Sequence, residues 1–374
     1  MDHRLLEAAT SGNLAILNLF LRESPDILLG KTPFNNTALH IAVMFGHEQF
    51  ARELSSRSPS LLSARNSNRE TPLQIGVTAG RHSIATYFIE IASQLPHRCD
   101  NIGGGYPLKQ MRMATDYEGN TALHEALLHG HSSLALKLLQ AVPRQSEFFN
   151  AHPESPMYIA AFRGLADAVT ELVRIPSSNH KGPSGSTALH AATISERSGI
   201  VETWLRLRPE LAGAEDHHGT VAFIHAVVGN KLEMVQLFLK FDPSVAYLVN
   251  NGGSAFHYAA RLGHLRIAEE LIRRCPDSAF VVDCDGRNAL HVAIVEEQVD
   301  FVRYILKTPA LHGLLNQPDR NKDTPLHLAA ERCNPEILRA MWAHESVDRA
   351  ALSGNRSALD TFFREVEPAK TLKW

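Results

Sequence analysis

The 374-residue sequence lacks most features that anchor, crosslink or arm a polypeptide for chemistry. It has four cysteines, Cys99, Cys275, Cys284 and Cys333, far apart and with no Cys-x-x-Cys pair. That spacing argues against a disulfide framework or a thiolate zinc site and for ordinary reduced thiols. Long hydrophobic runs are missing. The first apolar run, Leu14 to Leu21, is interrupted by Asn18 and falls far short of the ~20 residues that span a bilayer. The opening residues Met1 to Glu7 are polar and contain no signal-peptide core. Neither charge sign dominates: 37 Lys and Arg face 40 Asp and Glu, a net charge of −3. A general nucleic-acid binder needs a basic excess to meet phosphates, so that class is set aside.

Catalytic signatures are missing too. Ser, Cys and His are scattered without a nucleophile elbow. Gly103-Gly104-Gly105 is followed by no Lys-Ser/Thr and no helix start, so it is no phosphate loop. No carboxylates pair in a plausible pocket. The expectation is a non-enzymatic protein without cofactor or metal.

What the sequence does have is repetition. The sharpest copy is Asp323-Thr324-Pro325-Leu326-His327-Leu328-Ala329-Ala330. Thr324 can cap a helix through its hydroxyl. Pro325 then stands at the first helical position, where a missing N–H costs nothing. Leu326, Ala329 and Ala330 make a narrow apolar face, and His327 can bond toward the Thr or the next loop. Corresponding starts fall at Thr37, Thr71, Thr121, Ser155, Thr187, Val221, Ser254, Asn288 and Thr324. The intervals are 34, 50, 34, 32, 34, 33, 34 and 36. Seven of them sit near the period of about 33 that marks ankyrin repeats, whose signature this string is.

A partial unit precedes Thr37, where Leu6 to Asn13 aligns with His40 to His47; another begins at Ser357-Ala358-Leu359-Asp360. The fold class read from the sequence is all-α: an ankyrin-repeat solenoid of about eleven helix-turn-helix units, first and last partial, with hairpin-like fingers. Residues 1–374 read as a single array. The interval of 50 places an insertion at Pro96 to Met111, rich in Gly and Pro and without periodicity, read as flexible. Residues 365–374 read as a polar C-terminal tail. Within each unit a Gly ends the first helix: Gly46, Gly80, Gly130, Gly164 and Gly263, with Asn230 in one unit. That place calls for a left-handed residue.

Histidine is abundant, at twenty. Six stand in the repeated string: His40, His124, His190, His257, His291 and His327. Copies one repeat apart are too distant to share a metal ion, whose ligands lie ~2 Å from one centre. They are read as structural, as are His47, His131 and His264 at the start of second helices. The adjacent His217 and His218 fall on a finger tip.

Partner contact is expected on the fingers and first-helix faces, which line a concave surface. Asp and Gly there are mostly turn chemistry. Arg69, Tyr117, Arg287 and Arg320 are the stronger candidates, because Arg and Tyr are enriched at binding hot spots. His217, His218 and Lys322 complete the candidate partner-binding set, and the ligand class is protein.

Several strings are more specific than the generic repeat. They are Gly182-Pro183-Ser184-Gly185-Ser186-Thr187-Ala188-Leu189-His190-Ala191-Ala192; Cys275-Pro276-Asp277 followed by Val281 to His291; and Leu314-Leu315-Asn316-Gln317-Pro318-Asp319 running into Asp323 to Ala330. Asp242-Pro243-Ser244 and Tyr247 belong with them. Over about residues 1–365 the chain resembles the plant ankyrin–transmembrane family of the accelerated-cell-death type. That resemblance implies intracellular signalling in plant immunity, salicylate-linked defence and cell-death control. Family members carry several C-terminal membrane spans, the PGG-type domain, whereas Glu365 to Trp374 is polar here. Two expectations follow. One is a cytoplasmic interaction scaffold. The other is the cytosolic repeat portion of a multi-span membrane protein at the plasma membrane or endoplasmic reticulum.

Overall fold

The computed structural model describes residues 1–23, 25–93, 111 and 113–370. Apart from Met111, the insertion at 96–111 lies outside the described residues, as do residues 371–374 of the polar tail. The chain groups into two compact units, Met1–Ile200 and Val201–Trp374.

Unit 1 is a succession of antiparallel helix pairs: His3–Ser11 with Leu14–Glu23, Ala38–Phe45 with Glu48–Arg57, Pro72–Thr78 with His82–Ser93, Ala122–Leu128 with Ser132–Ala141, and Pro156–Arg163 with Ala166–Arg174. The helix Ala188–Ile194 follows. Unit 2 holds Ala222–Val228 with Leu232–Phe241, Ala255–Leu262 with Leu265–Arg274, Ala289–Val295 with Val299–Lys307, and Pro325–Arg332 with Pro335–Ala343, then Ala358–Lys370. The class is all-α. The two-residue strands Leu352–Ser353 and Arg356–Ser357 form a small antiparallel pair within the last finger.

Local chemistry sets these boundaries. Thr71, Thr121 and Thr187 cap their helices, the hydroxyl accepting the backbone N–H three residues on. Second helices run into short 3-10 turns that open on proline, as at Pro59, Pro143, Pro243, Pro276 and Pro309. The first helix exits through a left-handed residue, with φ of 84° at Gly46, 81° at Gly164 and 70° at Gly263. Asn230 does so at 54°, and Glu196, Glu297 and Cys333 hold the same place at 58°, 54° and 54°. Those last three were not legible as helix ends, because nothing in their side chains favours positive φ.

First helices are buried nearly all round. Pro325 to Ala330 are all buried, and so are Ala289 to Ile294. Second helices bury one stripe, for example Phe301, Val302, Ile305 and Leu306. The core of each unit is therefore a row of small and branched side chains between neighbouring pairs.

Candidate functional site

Each repeat presents a finger before its cap, and in six of them the finger is built by one side chain. The carboxylate of Asp116 accepts the N–H groups of Glu118 and Asn120 at 2.9 and 2.8 Å. Asn66, Asn150, Asp216, Asp283 and Asp319 repeat this pattern at their own i+2 and i+4 amides. These acids and amides are turn chemistry. Neighbouring fingers are stitched by single backbone bonds: the Tyr117 N–H donates to the Asn68 carbonyl at 2.9 Å, and the Arg320 N–H to the Asp285 carbonyl at 3.0 Å.

The repeated histidines lie beneath the fingers. The Thr37 N–H donates to His40 Nδ1 at 3.1 Å. Nδ1 is then the acceptor, and the proton sits on Nε2, which donates to the Glu70 carbonyl of the next finger at 3.1 Å. The same relay joins His124 to Glu154, His257 to Arg287, His291 to Asp323 and His327 to Arg356. In the third repeat Gln74 takes over. Its Oε1 accepts the Thr71 N–H at 3.0 Å and its Nε2 donates to the Asn120 carbonyl at 2.8 Å. Burial lowers the pKa of His40, His124 and His291 to about 4, against the opposing pull of the carbonyl partner. These rings are neutral structural ties, as their spacing implies.

A second tie runs backward from the start of the second helix. His47 Nε2 meets the Thr10 carbonyl at 2.8 Å and His264 Nε2 the Val228 carbonyl at 3.3 Å. Arg81 and Gln298 hold equivalent places and donate to Met44 and Arg261 carbonyls.

Above this scaffold, unit 1 has a cleft of about 650 Å³ between the third and fourth fingers, lined by Ser67, Asn68, Glu70, Asp116, Tyr117, Glu118, Asn120, Glu125, Leu128 and His129. Tyr117 stands at its rim, 80% exposed. Arg69 is exposed on the adjoining tip. At the cleft floor Glu125 accepts from Thr78 Oγ1 at 3.1 Å and Asn120 Nδ2 at 2.9 Å. His129 Nε2 lies 3.4 Å from its Oε2. Burial, then the hydrogen bond and charge of Asp116, raise the Glu125 pKa to about 7. This carboxyl was not legible in the sequence, since its place is variable, held by Ile41, Ile75, Ile159, Ala191, His225, Tyr258, Val292 and Leu328 in the other first helices.

Unit 2 has a second cleft of about 650 Å³ that brings His217 and His218 together with Glu215, Gly219, Val249, Asn250 and Asn251. Arg320 and Lys322 are exposed on the tenth finger. Arg287 is different. It is half-buried, with Nε 3.6 Å from Asp319 Oδ2, and acts as a tie between the ninth and tenth fingers.

Arg69 and Lys322 share a backbone feature. They sit at φ of 63° and 68°. Four other fingers place Gly119, Gly185, Gly219 and Gly286 at the same turn position, and Asn35 and Pro153 hold it at 59° and 27°. An L side chain is strained there by about 1 kcal/mol.

Among the described residues no helix is long and apolar enough to cross a membrane. A family model described as "Ankyrin repeats (3 copies)" matches residues 5–100, 197–277, 223–313 and 256–349. Inversin from Canis lupus familiaris is 27% identical over 165 residues, covering 44% of this chain and 15% of that protein. The B-cell lymphoma 3 protein homolog of Mus musculus is 26% identical over 242 residues, covering 53% of this chain and 54% of its own length. This chain thus spans about half or less of these relatives. The crystal structure of the human ASB11 ankyrin repeat domain aligns at 20% identity and a TM-score of 0.45, covering 59% of this chain and 90% of that one.

Proposed function

The chain belongs to the ankyrin-repeat family, and from that premise we propose that it is a non-enzymatic scaffold that binds protein partners through its fingers. The observation that carries this reading is the pair of strained tips. Arg69 and Lys322 keep long cationic side chains at left-handed positions where Gly119, Gly219 and Gly286 avoid the strain. A side chain held at a folding cost, exposed, and beside no partner that needs it for the turn fits a role in recognition. Tyr117 and Arg320, exposed on adjoining tips, extend the two surfaces. His217 and His218, beside their own cleft, complete the set.

The test replaces Arg69 and Lys322 by Gly, which keeps the turn and removes the side chain. A partner is first captured by crosslinking in the native cell extract, purified, and titrated against each variant. Affinity should fall about tenfold, as for loss of a charged hot spot, while the melting temperature holds or rises. Unchanged affinity in Arg69→Gly, Lys322→Gly and Tyr117→Ala alike would remove these tips from the binding surface.

The finer reading is plant defence and cell-death signalling from the cytoplasm. It is supported by the strings at 182–192, 275–291 and 314–330. Its alternative is a cytosolic repeat portion of a multi-span membrane protein. Fractionation of the native protein separates the two: recovery in a carbonate-resistant membrane fraction supports the alternative.

A further inference from the structure

Two carboxyls at the floor of the unit 1 cleft are not needed to build the repeat. Asp116 forms the turn of its finger through Oδ1 alone. Asn66 and Asn150 form the same turn in the neighbouring fingers with an uncharged amide. Glu125 takes a place that the neighbouring first helices fill with the buried alkyl groups of Ile75 and Ile159. Asp116 and Glu125 are each only 9% exposed. Their carboxyls stand within hydrogen-bond reach of one another. Among the described residues no donor bonds Asp116 Oδ2. Ionised carboxylates only accept, so the pair repels itself unless a proton or another cation lies between them. Like charges buried side by side, where the adjoining repeats use an amide and an alkyl group, mark a place for a cation.

The walls narrow the choice of cation. Glu70 and Glu118 add two more carboxylates to the cleft, and neither Lys nor Arg lines it. Tyr117 offers an exposed ring at the rim, suited to a planar cation. A guanidinium meets both features: it donates in a plane to two carboxyls and stacks on an aromatic face, whereas an ammonium is a point charge. The apolar surface beside the cleft favours a polypeptide as its carrier. Leu128 lines the cleft, and Phe162 holds the same place one repeat further on, 48% exposed. One repeat is about 10 Å, a helix diameter, and roughly three residues of extended chain cover that distance.

Resting on the scaffold reading above, we propose that the cleft between the third and fourth fingers receives an arginine side chain of the partner protein, its guanidinium against Asp116 and Glu125, with an apolar residue three positions away on Phe162. The guanidinium replaces the proton that the two carboxyls otherwise share.

The probe is a fluorescent peptide with blocked ends, a central arginine and a leucine three residues to either side, titrated with the full protein. A Kd of about 0.1 mM is expected. Citrulline in place of the arginine keeps the shape without the charge and should weaken binding tenfold or more, roughly; lysine should weaken it several-fold. Asp116→Asn and Glu125→Gln should each cost about tenfold, and Asn66 and Asn150 show that an amide keeps the turn. Blocked arginine alone should bind about tenfold more weakly than the peptide. Equal binding of the two would give the cleft to a free guanidino compound and overturn the partner assignment.

A pH profile adds a second readout. Ionised Glu125 is the form that binds, and its folded pKa is about 7. Affinity should therefore rise about tenfold from pH 6 to pH 8 and level off above. Around Glu125 stand Asp116 on its finger, His129 on its helix, and Glu70 and Glu118 across the cleft; His152 lies 3.3 Å from Glu118. The helix Pro72–Thr78 contributes Thr78, and neither Tyr158 nor Arg163 of the helix packed on the other side lines the cleft. Glu125→Gln keeps all these neighbours and should flatten the rise. No saturable signal up to about 5 mM, equal affinity for the citrulline or lysine peptide, or a pH profile indifferent to Glu125→Gln overturns the proposal. If Arg69→Gly still weakens the captured partner while the arginine peptide fails to bind, the scaffold reading stands and this one falls.

Discussion

At the scale of one residue, the repeated histidine is defined by polarity more than by ring chemistry. Nδ1 must accept from the cap and Nε2 must donate to the next finger. Gln74 meets both demands with an amide. His291→Gln should therefore cost under about 1 kcal/mol, while His291→Leu, which orphans the Asn288 N–H and the Asp323 carbonyl, should cost about 2–3 kcal/mol. Chemical denaturation of the two variants checks this. The same geometry fixes the response to acid. His40, His124 and His291 have folded pKa values near 4, below the ordinary 6.5. Their stabilisation is complete above pH 6.5 and is lost as pH falls toward 4, at a cost of order 3 kcal/mol per ring. Glu125 has the opposite sign. Its folded pKa is raised from 4.5 to about 7, so its contribution is present below 4.5 and lost as pH rises through 7. Three rings outweigh one carboxyl, so the protein should lose stability in net between pH 6.5 and 4. Glu125→Gln should add about 1–2 kcal/mol at pH 8 and little at pH 4. Denaturation midpoints across this range, with and without the substitution, decide the point; a Glu125→Gln gain that does not grow with pH would refute the assignment.

At the scale of the element, the cap is the unit that varies. Thr324 bonds His327 through its hydroxyl at 2.8 Å. Val221 holds the same place with no side-chain cap bond, and Ile224 stands where the histidine would be. Both are buried, so apolar packing stands in for the cap bond in that helix. Thr324→Ala should cost about 1 kcal/mol, and Val221→Thr should return a few tenths to about 1 kcal/mol. Equilibrium unfolding of both variants reads the pair. These elements also mark what the sequence could and could not reveal. Cap, Pro and His recur in register, so the helix pairs and the structural role of the histidines were legible from spacing. Finger acids as turn formers were legible because Asx chemistry is local. Helix ends at Glu196, Glu297 and Cys333 were not, because tertiary packing alone imposes positive φ there. The Arg287–Asp319 tie was hidden for a related reason: it joins two fingers, and a single finger read alone makes Arg287 look free. The Glu125 cleft needed the fold to bring Thr78, Asp116 and Asn120 around one carboxyl.

At the scale of the molecule, a repeat protein has no single core; each repeat is stabilised by itself and by its immediate neighbours. Local stability should then follow how many neighbouring faces a repeat has covered. In unit 2 the helix Ala255–Leu262 lies between repeats on both sides, and Ala255, Phe256, Ala259 and Ala260 are fully buried. The helix Ala358–Lys370 packs on Pro325–Arg332 but leaves Leu359 and Phe363 44% and 59% exposed. Burying a large apolar side chain is worth about 1.5–3 kcal/mol, so two that are roughly half covered forgo about 2 kcal/mol together. Amide hydrogen exchange should accordingly find Ala358–Leu359 and the turns that follow opening at a free energy at least about 2 kcal/mol below that of Ala255–Leu262. The gradient should be steepest between Pro325–Arg332 and Ala358–Lys370. Uniform protection across unit 2 would instead mean that its repeats open as one cooperative body, and the nearest-neighbour description would fail for this chain.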